Sequence, residues 1–338
     1  GLRTRCPRDG VLWRLPNRWY TVFQTTFAPL RILMRIIVHG QQAFGKSVLE
    51  ALLERGEDVI AVYCEPDKEG RPADPIKECA VERGLPVYQP KSYRDPETQA
   101  QFASLDADLC VMAYVTLFVP EEVLNTPTHG SIQYHPSLLP LHRGGSSINW
   151  PIIWGREQTG LSIFWPDNGL DEGPILMQKI VDITDDDTLG SVYFNKLFPL
   201  GVQAMLESVD LVRAGSAPKT EQDHSKATYE GWCRAEQVRI NWHMPTQSTW
   251  NLIRGANPAP GAWTTFNGDK VSIFDCKKVP EAKSVQPGQI MDIGDDGVLV
   301  ATSEGQILLQ RVRADGGKKV AAADWAVEAG ATVGKRFK

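Results

Sequence analysis

Residues 131–144 read SIQYHPSLLPLHRG, and this stretch decides how the rest of the chain is interpreted. Its first four residues alternate polar and apolar side chains, which predicts a short strand. His135 follows at the end of that strand, and Pro136 and Pro140 keep the loop after it from becoming helical. A histidine fixed at a strand end is a candidate catalytic group.

A second stretch, DNGLDEGP at residues 167–174, follows the apolar run at residues 161–165. It places Asp171 in a glycine-rich turn after a predicted strand. Ligands of α/β sheets bind outside the carboxyl ends of the strands. We therefore expect His135 and Asp171, each leaving a strand end, to face one site as an acid/base pair.

Strand and helix patterns alternate between residue 35 and residue 113, which predicts a parallel sheet with helices on both faces. Residues 132–135 are expected to form an inner strand of this sheet. The predicted strands are residues 35–38, 59–64, 86–88 and 108–113, and the predicted helices are residues 44–55, 75–83 and 97–105.

The domain boundaries follow from changes in pattern. Residues 34–215 are predicted to form the α/β catalytic domain, residues 216–228 a polar linker, and residues 229–338 a small β-barrel built from short strands with turn signals. Residues 1–33 hold six arginines and one acid and show no strand or helix periodicity. They are predicted to be an extension outside the fold, with an organellar transit peptide as the alternative.

The composition restricts the class of protein. The chain has 338 residues, 42% hydrophobic and 23% charged, and a net charge of −5, which is typical of a small-molecule enzyme and argues against a general nucleic-acid binder. No apolar run approaches the roughly 20 residues of a membrane span. The six cysteines are scattered without C-x-x-C spacing, so we expect neither a disulfide framework nor a metal site. A cytoplasmic location is expected, or a mitochondrial one if residues 1–33 are a transit peptide.

The turn at residues 40–47, GQQAFGKS, matches the phosphate-binding pattern G-x-x-x-x-G-K-[ST]. A phosphate cradle needs a glycine-rich backbone, whereas this turn carries two glutamines and Phe44 between its glycines. A P-loop NTPase therefore remains an alternative outside the main interpretation. No G-x-G-x-x-G fingerprint follows the first strand, so no NAD(P) cofactor is expected.

The pairing of HPSLLPxxRG with a later D-x-G-x-D-x-G-P resembles the folate-dependent formyltransferase family. Within it, the sequence looks most like the amino-terminal hydrolase domain of 10-formyltetrahydrofolate dehydrogenases. The resemblance extends from Met34 to the end of the chain. It also includes INW at residues 148–150, IFW at residues 163–165, ATYEG at residues 227–231 and INW at residues 240–242.

This resemblance implies a Rossmann-like catalytic domain, an OB-like carboxyl domain and 10-formyltetrahydrofolate as the formyl donor. The family's pterin-binding loop corresponds to the segment after residue 113, although from the residues alone Leu117 and Phe118 could equally be core. His142 is predicted to be solvated, and Arg143 to steady the loop or an anionic substrate. The implied folate-binding residues are Tyr114, Leu117, Phe118, Val119, Ser137, Leu139 and Arg143.

The implied reaction is hydrolysis of 10-formyltetrahydrofolate to tetrahydrofolate and formate by His135 and Asp171. Gln133 occupies a position where the transferases carry asparagine and the hydrolase domain an apolar residue, which leaves hydrolysis and transfer both open. The alternatives are an amine formyltransferase acting on a nucleotide sugar or methionyl-tRNA, and a folate-binding protein without activity. The partner would be a formyl acceptor or a carrier domain, and oxidation of the formyl group is not expected from this chain alone.

Overall fold

The computed structural model of the protein describes residues 10–15, 18–23, 33–279 and 286–338. The chain divides into two compact units, Gly1–Leu33 and Met34–Lys338. Across these described ranges, no helix combines the length and the apolar character that crossing a bilayer requires.

The first unit contains two paired strands, β1 Gly10–Leu15 and β2 Arg18–Phe23, which run antiparallel. The sequence shows no strand periodicity in residues 1–33, so these two strands were not predicted. Valine and tryptophan in both strands, and tyrosine, threonine and phenylalanine in β2, favour extended backbone. Arg14 and Arg18, which lie within these strands, obscured that preference in the sequence.

The second unit begins with a seven-stranded sheet in the order β5-β4-β3-β6-β7-β8-β9. The strands from β5 to β7 are parallel, whereas β8 and β9 run antiparallel to their neighbours. The α/β class and the inner position of β7 are confirmed, but a wholly parallel sheet is wrong. The strands are β3 Arg35–Gly40, β4 Asp58–Tyr63, β5 Val87–Tyr88, β6 Leu109–Ala113, β7 Ser131–His135, β8 Gln158–Phe164 and β9 Ile175–Asp182.

Helices cover both faces of this sheet. Alternate residues of β3 point to opposite faces, so Ile36 and Val38 join one buried cluster and Ile37 joins another. A π-helical segment, Val192–Leu197, joins two of the helices. The helices of this region are α1 Gln42–Glu54, α2 Pro75–Glu82, α3 Pro96–Ala103, α4 Glu121–Leu124, α5 Asn149–Ile153, α6 Leu189–Ser191 and α7 Phe198–Arg213.

The carboxyl-terminal region contains two four-stranded antiparallel sheets, in the orders β10-β11-β16-β17 and β12-β15-β14-β13. Gln310 separates β15 from β16. Helices α8 and α9 accompany these sheets. The elements are α8 Thr246–Gly255, β10 Ala262–Phe266, β11 Asp269–Ile273, β12 Cys276–Val279, β13 Ile290–Gly294, β14 Gly297–Ala301, β15 Gln306–Leu309, β16 Arg311–Ala314, β17 Val320–Ala321 and α9 Ala322–Glu328.

Helix α5 attaches the α/β region to the carboxyl-terminal region. Trp150 of α5 belongs to the buried cluster of the two antiparallel sheets, together with Trp242 and Trp325. The Asn149 side chain donates hydrogen bonds to the carbonyl oxygens of Gly255 and Ala259. These contacts hold the loop after β7 against the carboxyl-terminal region.

Candidate active site

His135 is the last residue of β7 and its side chain is buried. Its Nε2 atom lies 2.9 Å from the carbonyl oxygen of His142. A carbonyl oxygen can only accept a hydrogen bond, so we assign a proton to Nε2. The other ring nitrogen, Nδ1, lies 3.4 Å from Oδ2 of Asp171.

Asp171 lies in the loop between β8 and β9 and is also buried. Its Oδ2 atom accepts a hydrogen bond of 2.8 Å from the backbone N–H of Gly144. The site therefore pairs an imidazole with a carboxylate in a place largely closed to water.

The sequence predicted that His135 and Asp171 face one site because both leave the carboxyl ends of strands, and this reason is wrong. Because β8 runs antiparallel to β7, the carboxyl end of β8 does not share an edge with the carboxyl end of β7. The loop returns instead, and its base is closed by a hydrogen bond from Trp165 N to Pro174 O. A Cβ atom at Gly173 would lie 1.8 Å from the Trp165 carbonyl oxygen, so this closure requires glycine.

Two of the predicted folate-binding residues hold the loop after β7. The Ser137 hydroxyl donates to the carbonyl oxygen of Leu141, and the Leu139 N–H donates to the Ser162 hydroxyl. Both side chains are buried, and the Leu139–Pro140 peptide bond is cis. Ser137 and Leu139 therefore fix the backbone of the loop.

Arg143 is buried rather than solvent-facing and makes several polar contacts. Its guanidinium donates to Oε1 of Gln222 and lies 3.3 Å from Oε1 of Glu172. A third partner is Nδ1 of His224, at 3.1 Å. Arg143 therefore connects the loop after β7 to the loop of Asp171 and to the segment before the carboxyl-terminal region.

The prediction that His142 is solvated is wrong. Its side chain is only 6% exposed, and Nδ1 lies 2.9 Å from Oε1 of Glu230. Burial lowers the pKa of His142, while the Glu230 carboxylate acts in the opposite direction. The chain folds the segment containing Glu230 back over the loop, which the local sequence does not indicate.

Gln133 lies two residues before His135 on β7 and is partly buried. Residues two apart in a strand point to the same face, so the Gln133 amide and the His135 imidazole lie on one side of the sheet. The backbone of Gln133 is paired with Met112 on β6 and with Phe164 on β8. Gln133 is thus placed where an amide could reach a group bound at His135.

Of the four predicted folate-binding residues in the loop after β6, two are exposed and two are less accessible. Tyr114 is 44% exposed and has a φ of 66°, and Phe118 is 49% exposed beneath the Arg94 guanidinium. Val119 is buried in the cluster on this face of the sheet, and Leu117 packs against that cluster. Tyr114 and Phe118 are therefore accessible to a ligand, whereas Val119 serves the core.

The turn at residues 40–47 does not form a phosphate cradle. Helix α1 begins at Gln42, and the Asp74 carboxylate accepts the Gln42 N–H at 2.8 Å. That carboxylate occupies the helix terminus where a phosphate would bind in a P-loop. Lys46 is directed at Glu50 instead, at 3.8 Å.

The segment at residues 216–228, which was predicted to be a linker, contains residues that contact the two loops of the site. The backbones of Thr220 and Ile175 are paired, and Thr228 bonds the loop after β7 through its backbone and its hydroxyl. Gln222 is buried, and its side-chain amide donates a hydrogen bond to the carbonyl oxygen of Asp171. Its isolated position among exposed polar residues gave no local signal, because these partners are distant in sequence. Among the described residues, no cluster of three or more His, Cys, Asp or Glu side chains suits a metal ion.

Comparison with known proteins identifies the family. A model described as formyl transferase matches residues 34–209, and a model of the formyl transferase carboxyl-terminal domain matches residues 233–329. The chain belongs to the formyl transferase family. Within this family, the mitochondrial 10-formyltetrahydrofolate dehydrogenase of Mus musculus is 36% identical over 330 residues, covering 93% of this chain and 35% of the dehydrogenase.

One curated relative matches over nearly its whole length. A methionyl-tRNA formyltransferase of Geobacter metallireducens is 35% identical over 297 residues, covering 86% of this chain and 94% of that enzyme. The crystal structure of HypX from Aquifex aeolicus in complex with tetrahydrofolic acid has a TM-score of 0.64 and 19% identity, over 89% of this chain and 48% of HypX. That identity supports a shared fold. The chain spans about a third of the dehydrogenase, 35% of its length.

Proposed function

We propose that this formyl transferase family member hydrolyses 10-formyltetrahydrofolate to tetrahydrofolate and formate. The observation that carries the proposal is the buried pair of His135 and Asp171, whose Nδ1 and Oδ2 atoms lie 3.4 Å apart. One relative is named for 10-formyltetrahydrofolate, and the HypX structure contains tetrahydrofolic acid. Both support a folate as the ligand here.

The proposed reaction needs a base for water and an acid for the departing nitrogen. Asp171 accepts a proton from water as the water oxygen attacks the formyl carbon. Protonated His135 stabilises the resulting oxyanion through Nδ1–H, and then donates this proton to N10 as the C–N bond breaks. The proton on Asp171 returns to His135, and the released formic acid ionises to formate in solution.

The folate is proposed to lie across the loop after β6, against Tyr114 and Phe118. Their exposed rings offer a planar heterocycle apolar contact, and the loop backbone offers hydrogen bonds. Ser137, Leu139 and Arg143 are proposed to contribute by holding the backbone of the loop after β7. We also propose an OB-like domain at residues 229–338, which is supported by the antiparallel sheets and by the family match to residues 233–329.

An amine formyltransferase is the second candidate, and Gln133 is the observation that favours it. An amide beside His135 could donate a hydrogen bond to the oxyanion of a formyl-transfer intermediate. The acceptor would be a nucleotide sugar or, as in the name of the Geobacter relative, methionyl-tRNA. Residues 226–330 carry 12 basic and 12 acidic residues, a balance that disfavours a tRNA acceptor.

The deciding experiment measures tetrahydrofolate and formate released from 10-formyltetrahydrofolate without an acceptor. We expect release by the wild type and at least about 100-fold less by Asp171→Asn, because loss of a general base typically costs that much. Asp182→Asn, an exposed aspartate of β9, controls for the substitution. Folate binding without release by the wild type would overturn hydrolysis. Release that occurs only with an amine acceptor would then establish the transferase. No release with any acceptor would indicate a folate-binding protein without activity.

A further inference from the structure

Gln222 uses its whole side-chain amide to connect the two loops of the site. The side chain is 4% exposed. Its Nε2 atom donates hydrogen bonds to the carbonyl oxygens of Asp171, at 2.9 Å, and Gly173, at 2.7 Å. An amide nitrogen has two protons, and both are committed to the backbone of the Asp171 loop.

The other end of the amide faces Arg143. Oε1 of Gln222 accepts hydrogen bonds from Nη2 at 2.8 Å and from Nε at 3.3 Å. Arg143 directly precedes Gly144, whose N–H binds the Asp171 carboxylate. The bonds therefore form a closed path, from the Asp171 carbonyl through Gln222 and Arg143 to Gly144 and back to the Asp171 carboxylate.

The backbone of Asp171 explains why such support is needed. Asp171 has a φ of 55°, in the left-handed region that costs a residue other than glycine about 1–2 kcal/mol. Such a conformation persists where the surrounding structure imposes it. The bonds to the carbonyl oxygens of Asp171 and Gly173 impose it here, and they fix the direction in which the carboxylate leaves the backbone.

We propose that Gln222 is a positioning residue for the reaction and acts through Asp171. It holds the left-handed turn so that the carboxylate stays directed at Nδ1 of His135. The backbone pairing of Thr220 with Ile175 anchors Gln222 from the preceding residues. This inference rests on the proposed role of Asp171 in hydrolysis.

Gln222→Glu separates positioning from mere structural support. The carboxylate keeps an acceptor for Arg143, but it places an oxygen against the two carbonyl oxygens and repels them. We expect kcat for 10-formyltetrahydrofolate hydrolysis to fall about 10- to 100-fold, since displacement by about 1 Å can cost this much. KM should change by less than about twofold, because the folate contacts are proposed on the loop after β6.

A double-mutant cycle tests whether Gln222 acts through Asp171. Adding Gln222→Glu to Asp171→Asn should lower the residual rate no further, because the carboxylate that it positions is already lost. Losses that multiply, or a rise in KM with kcat unchanged, would overturn the inference. Gln247→Glu is the matched control, since Gln247 also accepts from a basic side chain, Lys278, and donates to an oxygen, but lies on α8.

The variants also separate failure of this inference from failure of the proposed function. A wild type without hydrolysis refutes the function itself. Loss of hydrolysis in Asp171→Asn, together with full kcat in Gln222→Glu, refutes only the positioning role. If Gln222→Glu does not fold, Gln222→Met removes the same two donors without adding charge, and its kcat decides the question in the same way.

Discussion

Two buried histidines lie near the carboxyl ends of parallel strands in the same sheet, and only one has the partners of a catalyst. His39, on β3, is 4% exposed, and His135, on β7, is 6% exposed. The Nε2 atom of His39 lies 2.9 Å from the Tyr93 hydroxyl, among the rings of Tyr63 and Tyr93. His135 has a backbone carbonyl on one nitrogen and a carboxylate near the other.

The difference lies in what surrounds each imidazole. Burial among these aromatic rings lowers the pKa of His39 to about 3, because removal from water disfavours the charged imidazole. His39 therefore stays neutral and serves as a hydrogen-bonded part of the core. His135 instead faces an acid, and a strand-end histidine becomes a candidate catalyst only through that partner.

The pairing of the strands shows that His39 and His135 occupy similar positions in the sheet. His39 is paired with Met112 on β6, and Met112 is paired with Gln133 on β7. Residues paired in this way share a face of the sheet, so His39 and Gln133 belong to one row. His135 lies two residues beyond that row, where the loop of Asp171 reaches it.

The largest expected effect comes from making one change at both positions. His135→Gln should lower the rate of 10-formyltetrahydrofolate hydrolysis about 100- to 10,000-fold, because it removes the acid of the proposed reaction. His39→Gln should retain the rate within about threefold, because His39 is proposed to touch no reacting atom. Equal loss of kcat at both positions, measured on folded protein, would remove the distinction drawn between them.

A smaller effect should appear in the pH dependence of stability. A histidine takes up a proton near its ordinary pKa of 6.5 in the unfolded chain but only near 3 at His39 in the folded one. Between these values the unfolded state binds more protons, so the free energy of unfolding falls as the pH falls. His39 should contribute a loss of about 2 kcal/mol between pH 7 and pH 5.

Denaturant unfolding at the two pH values measures this loss. His39→Gln does not titrate and should reduce the difference between pH 7 and pH 5 by that amount. His243→Gln, at an exposed histidine, controls for the substitution itself. An unchanged difference in His39→Gln would show that His39 accepts a proton in the folded state.

A still smaller effect is expected at Gln133. If hydrolysis is the reaction, Gln133→Leu should lower kcat less than about tenfold, since an oxyanion donor essential to transfer would cost about 100- to 1,000-fold. The assay again follows tetrahydrofolate release without an acceptor. A loss in the larger range would make Gln133 a catalytic residue and favour the transferase.

The smallest effect is expected at the turn after β3. Lys46→Ala should leave folate hydrolysis unchanged. It should have no nucleotide binding to abolish, because the Asp74 carboxylate already occupies the terminus of α1. Calorimetric titration with ATP and magnesium checks this on the wild type. Binding that depends on Lys46 would restore the P-loop interpretation.

Several features of the fold could be predicted from sequence because their causes are local. Alternating strand and helix patterns between residues 35 and 113 predicted the α/β class, and the loop after residue 135 followed from two prolines. His135 and Asp171 were recognisable because each lies in a distinctive stretch after an apolar run. The paired strands at residues 10–15 and 18–23 were missed, since Arg14 and Arg18 masked a modest strand preference.

The sequence by itself predicted the strands of the seven-stranded sheet and singled out His135 and Asp171 as the proposed acid/base pair. Only the tertiary structure decided that β8 runs antiparallel and that the loop after it returns Asp171 to His135. It also buried His142 against Glu230 and brought Gln222 to the Asp171 carbonyl, 51 positions away along the chain. Local patterns specify backbone preference, whereas these bonds form between segments that only the packing of the whole unit brings together.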